Sequence, residues 1–102
     1  MVKLISVKPS TRSDKKYMAT FENPKKTTHF GAKGYTDYTK GADDETREDY
    51  IKRHAIDLDT NDPMRAGYLS MFLLWNKKSL KDSVRDYEKR LKSNDWSLPA
   101  SN

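Results

Sequence analysis

Apolar residues change their spacing once along this chain, near residue 43. Before that point short runs alternate. KLISVK (3–8) is rich in β-branched and apolar residues and stops at Pro9. KKYMATFE (15–22) alternates Tyr17, Ala19 and Phe21 with Met18 and Thr20, the two-residue period of a half-buried strand. PSTRSD between them supplies turn chemistry, Asn23–Pro24 marks another turn, and KKTTHF (25–30) reads as a third strand. An antiparallel meander over residues 2–31 is expected. GYTDYT (34–39) then adds a short fourth strand or leaves the sheet.

Beyond residue 43 the period is helical. DDETREDYIKRHA (43–55) opens with Asp43 and Asp44, either suited to an N-cap. Acids fill its first turn and Lys52, Arg53 and His54 its last, which suits the helix dipole. Glu48–Lys52 and Asp49–Arg53 fall at i,i+4 in the favoured order. NDPMRAGYLSMFLLWNK (61–77) predicts a second helix, with Asp62 as N-cap and Pro63 in the first helical position. Its Tyr68, Leu69, Phe72, Leu73 and Trp75 are apolar over more than one face, so it should be the most buried element and cover the sheet. SLKDSVRDYEKRLK (79–92) pairs Ser79 with Asp82 as in a capping box, and Leu80, Val84, Tyr87 and Leu91 form an apolar stripe. The tail SNDWSLPASN has no period, but an exposed Trp is unusual, so Trp96 and Leu98 are expected to dock back. The fold class is therefore α+β: an N-terminal three-stranded antiparallel meander followed by three helices, the middle helix packed on the sheet. Residues 1–92 form one domain and 93–102 an irregular tail.

Composition narrows the class without naming it. Val, Ile, Leu and Phe make up only 17 of the 102 residues, few enough to raise disorder. A net charge of only +5, with six Tyr, two Trp and four Met, argues instead for a folded domain with an aromatic core. The absence of cysteine excludes disulfides and thiolate metal sites. The N-terminal apolar stretch is too short for a signal peptide, and MFLLW (71–75) is too short to span a bilayer, so no membrane partner is expected. Charge is uneven. Residues 1–40 hold nine Lys/Arg against three Asp/Glu, residues 41–62 three against eight, and residues 63–102 eight against four. A basic, acidic, basic layout fits a polyanion, a protein surface of matched charge, or complementarity within the chain.

HFGAKGYTDYT (29–39), YIKRH (50–54) and NDPMRAGYLSMFLLWNK (61–77), in this order and ahead of a basic last helix, resemble a family of small uncharacterised proteins of nucleocytoplasmic large DNA viruses, the giant-virus group. The resemblance spans about residues 3 to 92. It implies a viral source, and a place in the virion or in the cytoplasm or nucleus of the infected cell. It implies no activity and transfers no site residue.

Two features bear on binding. GAKG (31–34) has the G-x-x-G form of a backbone-clamping loop, but that loop joins two helices, whereas here a strand precedes it. Nor is a Walker A pattern present. The plainer reading is a turn or bulge needing positive φ at Gly31 or Gly34. Its functional remainder is Lys33 at the tip, with Tyr35 or Tyr38 as stacking platforms. On the last helix, Lys81, Arg85, Lys89 and Lys92 fall at roughly 100, 140, 180 and 120° from Leu80, a basic stripe beside the apolar one that Lys78 can extend. Such a stripe can track phosphates. It can equally be a solvated face, partly neutralised by Asp82, Asp86 and Glu88. His29 and His54 make a poor metal site without cysteines or a spaced carboxylate pair, and His54 suits a helix terminus. The acids 43–49 lack the order of a calcium loop. No nucleophile–base arrangement supports catalysis. The sequence thus points to a non-enzymatic protein without a cofactor. Its expected activity is low-specificity binding of nucleic acid, DNA ahead of RNA, through Lys33, Tyr35, Lys78, Lys81, Arg85, Lys89 and Lys92. The alternative is a minor virion structural or adaptor protein meeting other virion proteins.

Overall fold

The computed structural model describes residues 1–100. Three antiparallel strands, β1 (Lys3–Pro9), β2 (Lys15–Glu22) and β3 (Lys26–Ala32), form a sheet in the order β1-β2-β3. Tyr17 faces Phe30 and Ala19 faces Thr28, so β2 and β3 share one buried face. β1 pairs Leu4 with Phe21 and Val7 with Ala19, three residues against two, because the register shifts between Leu4 and Ser6. That bulge turns Leu4 and Val7 to the same face although KLISVK does not alternate strictly, and it leaves Ile5 exposed.

GYTDYT leaves the sheet. Gly31 and Gly34 both adopt positive φ, +79° and +91°. The Asp37 carboxylate then accepts from the Thr39 amide at 2.8 Å and caps a short 3-10 turn, Tyr38–Lys40. The first helix, α1 (Asp44–His54), begins at Asp43, whose carboxylate accepts from the Thr46 amide at 2.8 Å. Neither expected i,i+4 ion pair forms. Glu48 turns to Arg47 at 3.3 Å, and Arg53 Nε donates instead to the Asp49 carbonyl at 3.4 Å.

The second helix is shorter than its apolar pattern suggests. The Asp62 carboxylate accepts from the Met64 amide (3.0 Å) and the Asp62 carbonyl from the Arg65 amide (3.1 Å). Asp62 therefore closes a turn around Pro63 rather than capping the helix, and Arg65 is extended. α2 (Ala66–Leu69) starts there and continues as a π-helical turn, Ser70–Leu74, in which the Trp75 amide donates to the Ser70 carbonyl five residues back. As expected, this is the most buried part of the chain: every residue from Met71 to Asn76 is buried, and the segment packs on β3.

α3 (Leu80–Ser93) starts at Ser79, whose hydroxyl accepts from the Asp82 amide at 3.3 Å. Its buried face is rotated toward one edge of the expected Leu80–Val84–Tyr87–Leu91 stripe. Tyr87 and Ser83 are fully buried, whereas Leu80, Val84 and Leu91 are half-buried. The reason is polar: Asn76 donates to Asp86 at 2.6 Å, and Lys77 N–H donates to Ser83 Oγ at 3.0 Å. Trp96 docks as expected, its ring 5.2–5.4 Å from those of Tyr68, Phe72 and Tyr87. Leu98 stays nearly half exposed. Residues 101 and 102 of the expected tail lie outside the described residues.

Candidate functional site

The cations of this chain divide into paired and unpaired groups. Arg47 is 1 % exposed although it lies on a helix of high polarity. Its Nε donates to the Asn76 carbonyl (3.0 Å), its Nη2 to the Ala100 carbonyl (2.8 Å), and its guanidinium lies over the Tyr38 ring. It ties α1, the exit of the π turn and the C-terminal tail together. Arg90 does the same at the end of α3, donating to Asp86 at 2.7 Å and to the carbonyls of Asp95 and Ser97, over the face of Phe72. Burial on its own would raise the Asp86 carboxyl, but hydrogen bonds from Arg90 and Asn76, with the charges of Arg90 and Lys77, bring it below the usual range. Lys16 reaches the fully buried Asp37 at 2.6 Å, a salt bridge removed from solvent.

The proposed contact residues are all exposed, and among the described residues none of their cations is in an ion pair. They do not form one surface. Lys81 and Arg85 border a groove with Val7, Leu80, Val84 and Glu88. Lys92 borders a second hollow with Val2, Leu4, Leu91 and, again, Glu88. Glu88 therefore borders both hollows at the edge of the basic stripe. Lys78 leaves the stripe and shares a hollow with Asp43 and Asp44 at the acidic start of α1. Lys89 completes the outward face of α3 and Lys33 sits in the turn after β3.

Tyr35 belongs elsewhere. It is 75 % exposed and borders a cleft of about 400 Å³ between the glycine turn, the C-terminal end of α1 and the π turn. Tyr38, the other candidate platform, is 2 % exposed and its hydroxyl donates to Asp44 at 2.6 Å, so it is structural. One wall of the cleft is a column of three rings. Trp75 stacks on Tyr50 (4.4 Å between centroids, 9° between planes), and Tyr50 on His54 (4.0 Å, 20°). Burial pushes the Tyr50 phenol up to about 12, a hydrogen bond with Ser70 pulling the other way. Lys16 and Asp37 lie at the same cleft, as does Arg53, which has no carboxylate partner among the described residues. The sequence contained a hint of this column, since Tyr50 and His54 are four apart and share a helix face, as do Arg47 and Ile51. Nothing local could place Trp75 against them.

No group of three or more His, Asp or Glu side chains among the described residues is placed to hold a metal ion, and no helix is long and apolar enough to cross a membrane. The fold and its two candidate surfaces define a small α+β domain with an outward basic helix and an aromatic cleft. Residues 5–54 match a family of unknown function (DUF5754). The matched stretch runs from β1 to the last residue of α1. It includes the cleft residues Tyr35, Tyr50, Arg53 and His54, but nothing of α3. No curated protein and no solved structure matches the chain.

Proposed function

We propose that this protein binds nucleic acid through phosphate contacts with little sequence specificity, DNA ahead of RNA. The observation that carries the reading is the outward face of α3. Lys81, Arg85, Lys89 and Lys92 share it, all exposed and none in an ion pair among the described residues, while Arg90 on the same helix is held inward by Asp86. A rigid, capped helix presenting unpaired cations is an electrostatic footprint for a phosphate backbone. The resemblance of the sequence motifs to small giant-virus proteins supports a setting in the infected cell or the virion.

The test is duplex DNA binding measured against salt. Four phosphate contacts predict that log K falls with log salt at a slope of about −3 to −4. The double reversal Arg85→Glu/Lys89→Glu should flatten that slope to about −2 or less and weaken binding about tenfold or more at low salt. Undetectable binding at low salt, or binding unchanged by the reversal, rejects the reading.

A second reading, a structural or adaptor protein, is favoured by the half-buried Leu80, Val84 and Leu91 beside the stripe and by Glu88 at its edge. A surface of mixed charge and apolar strips suits a protein partner better than a phosphate chain.

A further inference from the structure

We propose that the cleft beside Tyr35 receives an unstacked base of single-stranded nucleic acid, with Arg53 at its rim taking the adjoining phosphate. The inference rests on the nucleic-acid reading above and deepens it by assigning a second contact of different chemistry to a different part of the molecule.

Three features of the cleft combine. First, its walls are aromatic. Tyr35 projects from the turn after β3 with three-quarters of its surface in solvent, where burial gains it nothing within the chain. Across the cleft stands the Trp75–Tyr50–His54 column, whose His54 end leaves a side chain 40 % exposed. A base entering beside Tyr35 meets an exposed ring on one side and a fixed aromatic wall on the other, and stacking of this kind tolerates any base.

Second, the charge suits a nucleotide. Among the described residues the only carboxylate in the cleft lining is Asp37, and it is already matched by Lys16 at 2.6 Å. Arg53 donates a single long hydrogen bond, to a backbone carbonyl at 3.4 Å, so its remaining donors are available for a phosphate. His54 meets Asp57 at 3.1 Å, which orients the ring.

Third, the backbone is shaped to make the space. The π turn supplies Ser70 and Leu74 to the lining and carries Trp75 at its end, and π turns interrupt helices frequently at functional sites. On the opposite side Gly31 lets the strand pass close to Leu74: a Cβ there would stand 2.9 Å from the Leu74 methyl group. A cleft of about 400 Å³ is large enough for a base and its sugar.

The experiment compares binding of a fluorescently labelled oligothymidylate with that of a duplex of equal length, at low salt, to the full chain. Tyr35→Ala should weaken oligothymidylate binding about tenfold and change duplex binding by less than about twofold, because a paired base cannot enter the cleft. Tyr35→Phe, which keeps the ring, should retain the wild-type ratio between the two probes. Arg53→Gln should weaken the single strand and leave the duplex unchanged. The α3 reversal Arg85→Glu/Lys89→Glu should weaken both probes together. If Tyr35→Ala and Arg53→Gln change nothing, or weaken both probes equally, while the α3 reversal still weakens both, the cleft assignment is overturned and the phosphate-binding reading stands. If Tyr35→Ala weakens the single strand selectively while the α3 reversal is silent, the cleft is retained and the basic helix is not a contact surface. Absence of binding to either probe overturns both.

Discussion

Gly31 and Gly34 differ by three positions and by the reason each is glycine. At Gly31, φ is +79° and an added Cβ would press on Leu74 and on the Lys16 side chain. At Gly34, φ is +91° and the space around it is open. Gly31→Ala is therefore expected to cost about 2–3 kcal/mol, backbone strain plus a clash with a buried side chain, and Gly34→Ala about 1 kcal/mol, strain alone. Urea unfolding of the two variants checks the difference, and equal losses would mean that the Leu74 contact does not matter. Arg47 makes the same point with charge. Along the chain it is one charged residue among many in α1, yet it is one of the largest fully buried side chains. Its helix has few apolar residues to bury, so the long aliphatic stem of an arginine fills the space while the guanidinium satisfies backbone carbonyls from two other segments.

At the scale of elements, the ends of helices were legible where a side chain closes its own backbone. Asp43 and Ser79 cap as their positions predict. Asp62 has the same chemistry but spends it on the Pro63 turn, and α2 begins at Ala66 instead. An Asx turn and an N-cap use the same hydrogen bond, so sequence cannot separate them. The C-terminal tail is held to the body by Trp96, by the buried Pro99 and by the Ala100 carbonyl, which accepts from the buried Arg47. Trp96 contacts three aromatic rings, and Arg90 holds the segment by the carbonyls of Asp95 and Ser97. Trp96→Ala should destabilise the protein by about 2–3 kcal/mol, somewhat less than a fully buried Trp would cost. The midpoint of urea unfolding measures it, and a loss near zero would show that the tail merely rests on the surface.

For the whole molecule, the ring column joins α1 to the π turn, and its ionisation should be felt globally. The fold holds Tyr50 as the neutral phenol, raised from 10.0 to about 12 chiefly by burial. A group raised in this way contributes its full stability below its ordinary value, and that contribution is lost as pH rises from about 10 through about 12. The melting temperature should therefore fall across this window more steeply for the wild type than for Tyr50→Phe, which keeps the stack and removes the titrating hydroxyl. Parallel falls would place the cause elsewhere.

By itself the sequence determined the meander, its turns, the three helical segments and the exposed basic stripe. Each follows from period, capping or turn chemistry within a few residues. Only the tertiary structure decided which polar groups face inward, where the second helix begins, and that Tyr35 and Tyr38 part company. Only there do Tyr50, His54 and Trp75 form one wall. The ring wall and the inward arginine depend on partners more than twenty residues away, Trp75 for Tyr50 and Asn76 for Arg47. A buried arginine and a solvated one read alike along a chain, because what separates them is the carbonyl waiting on another element.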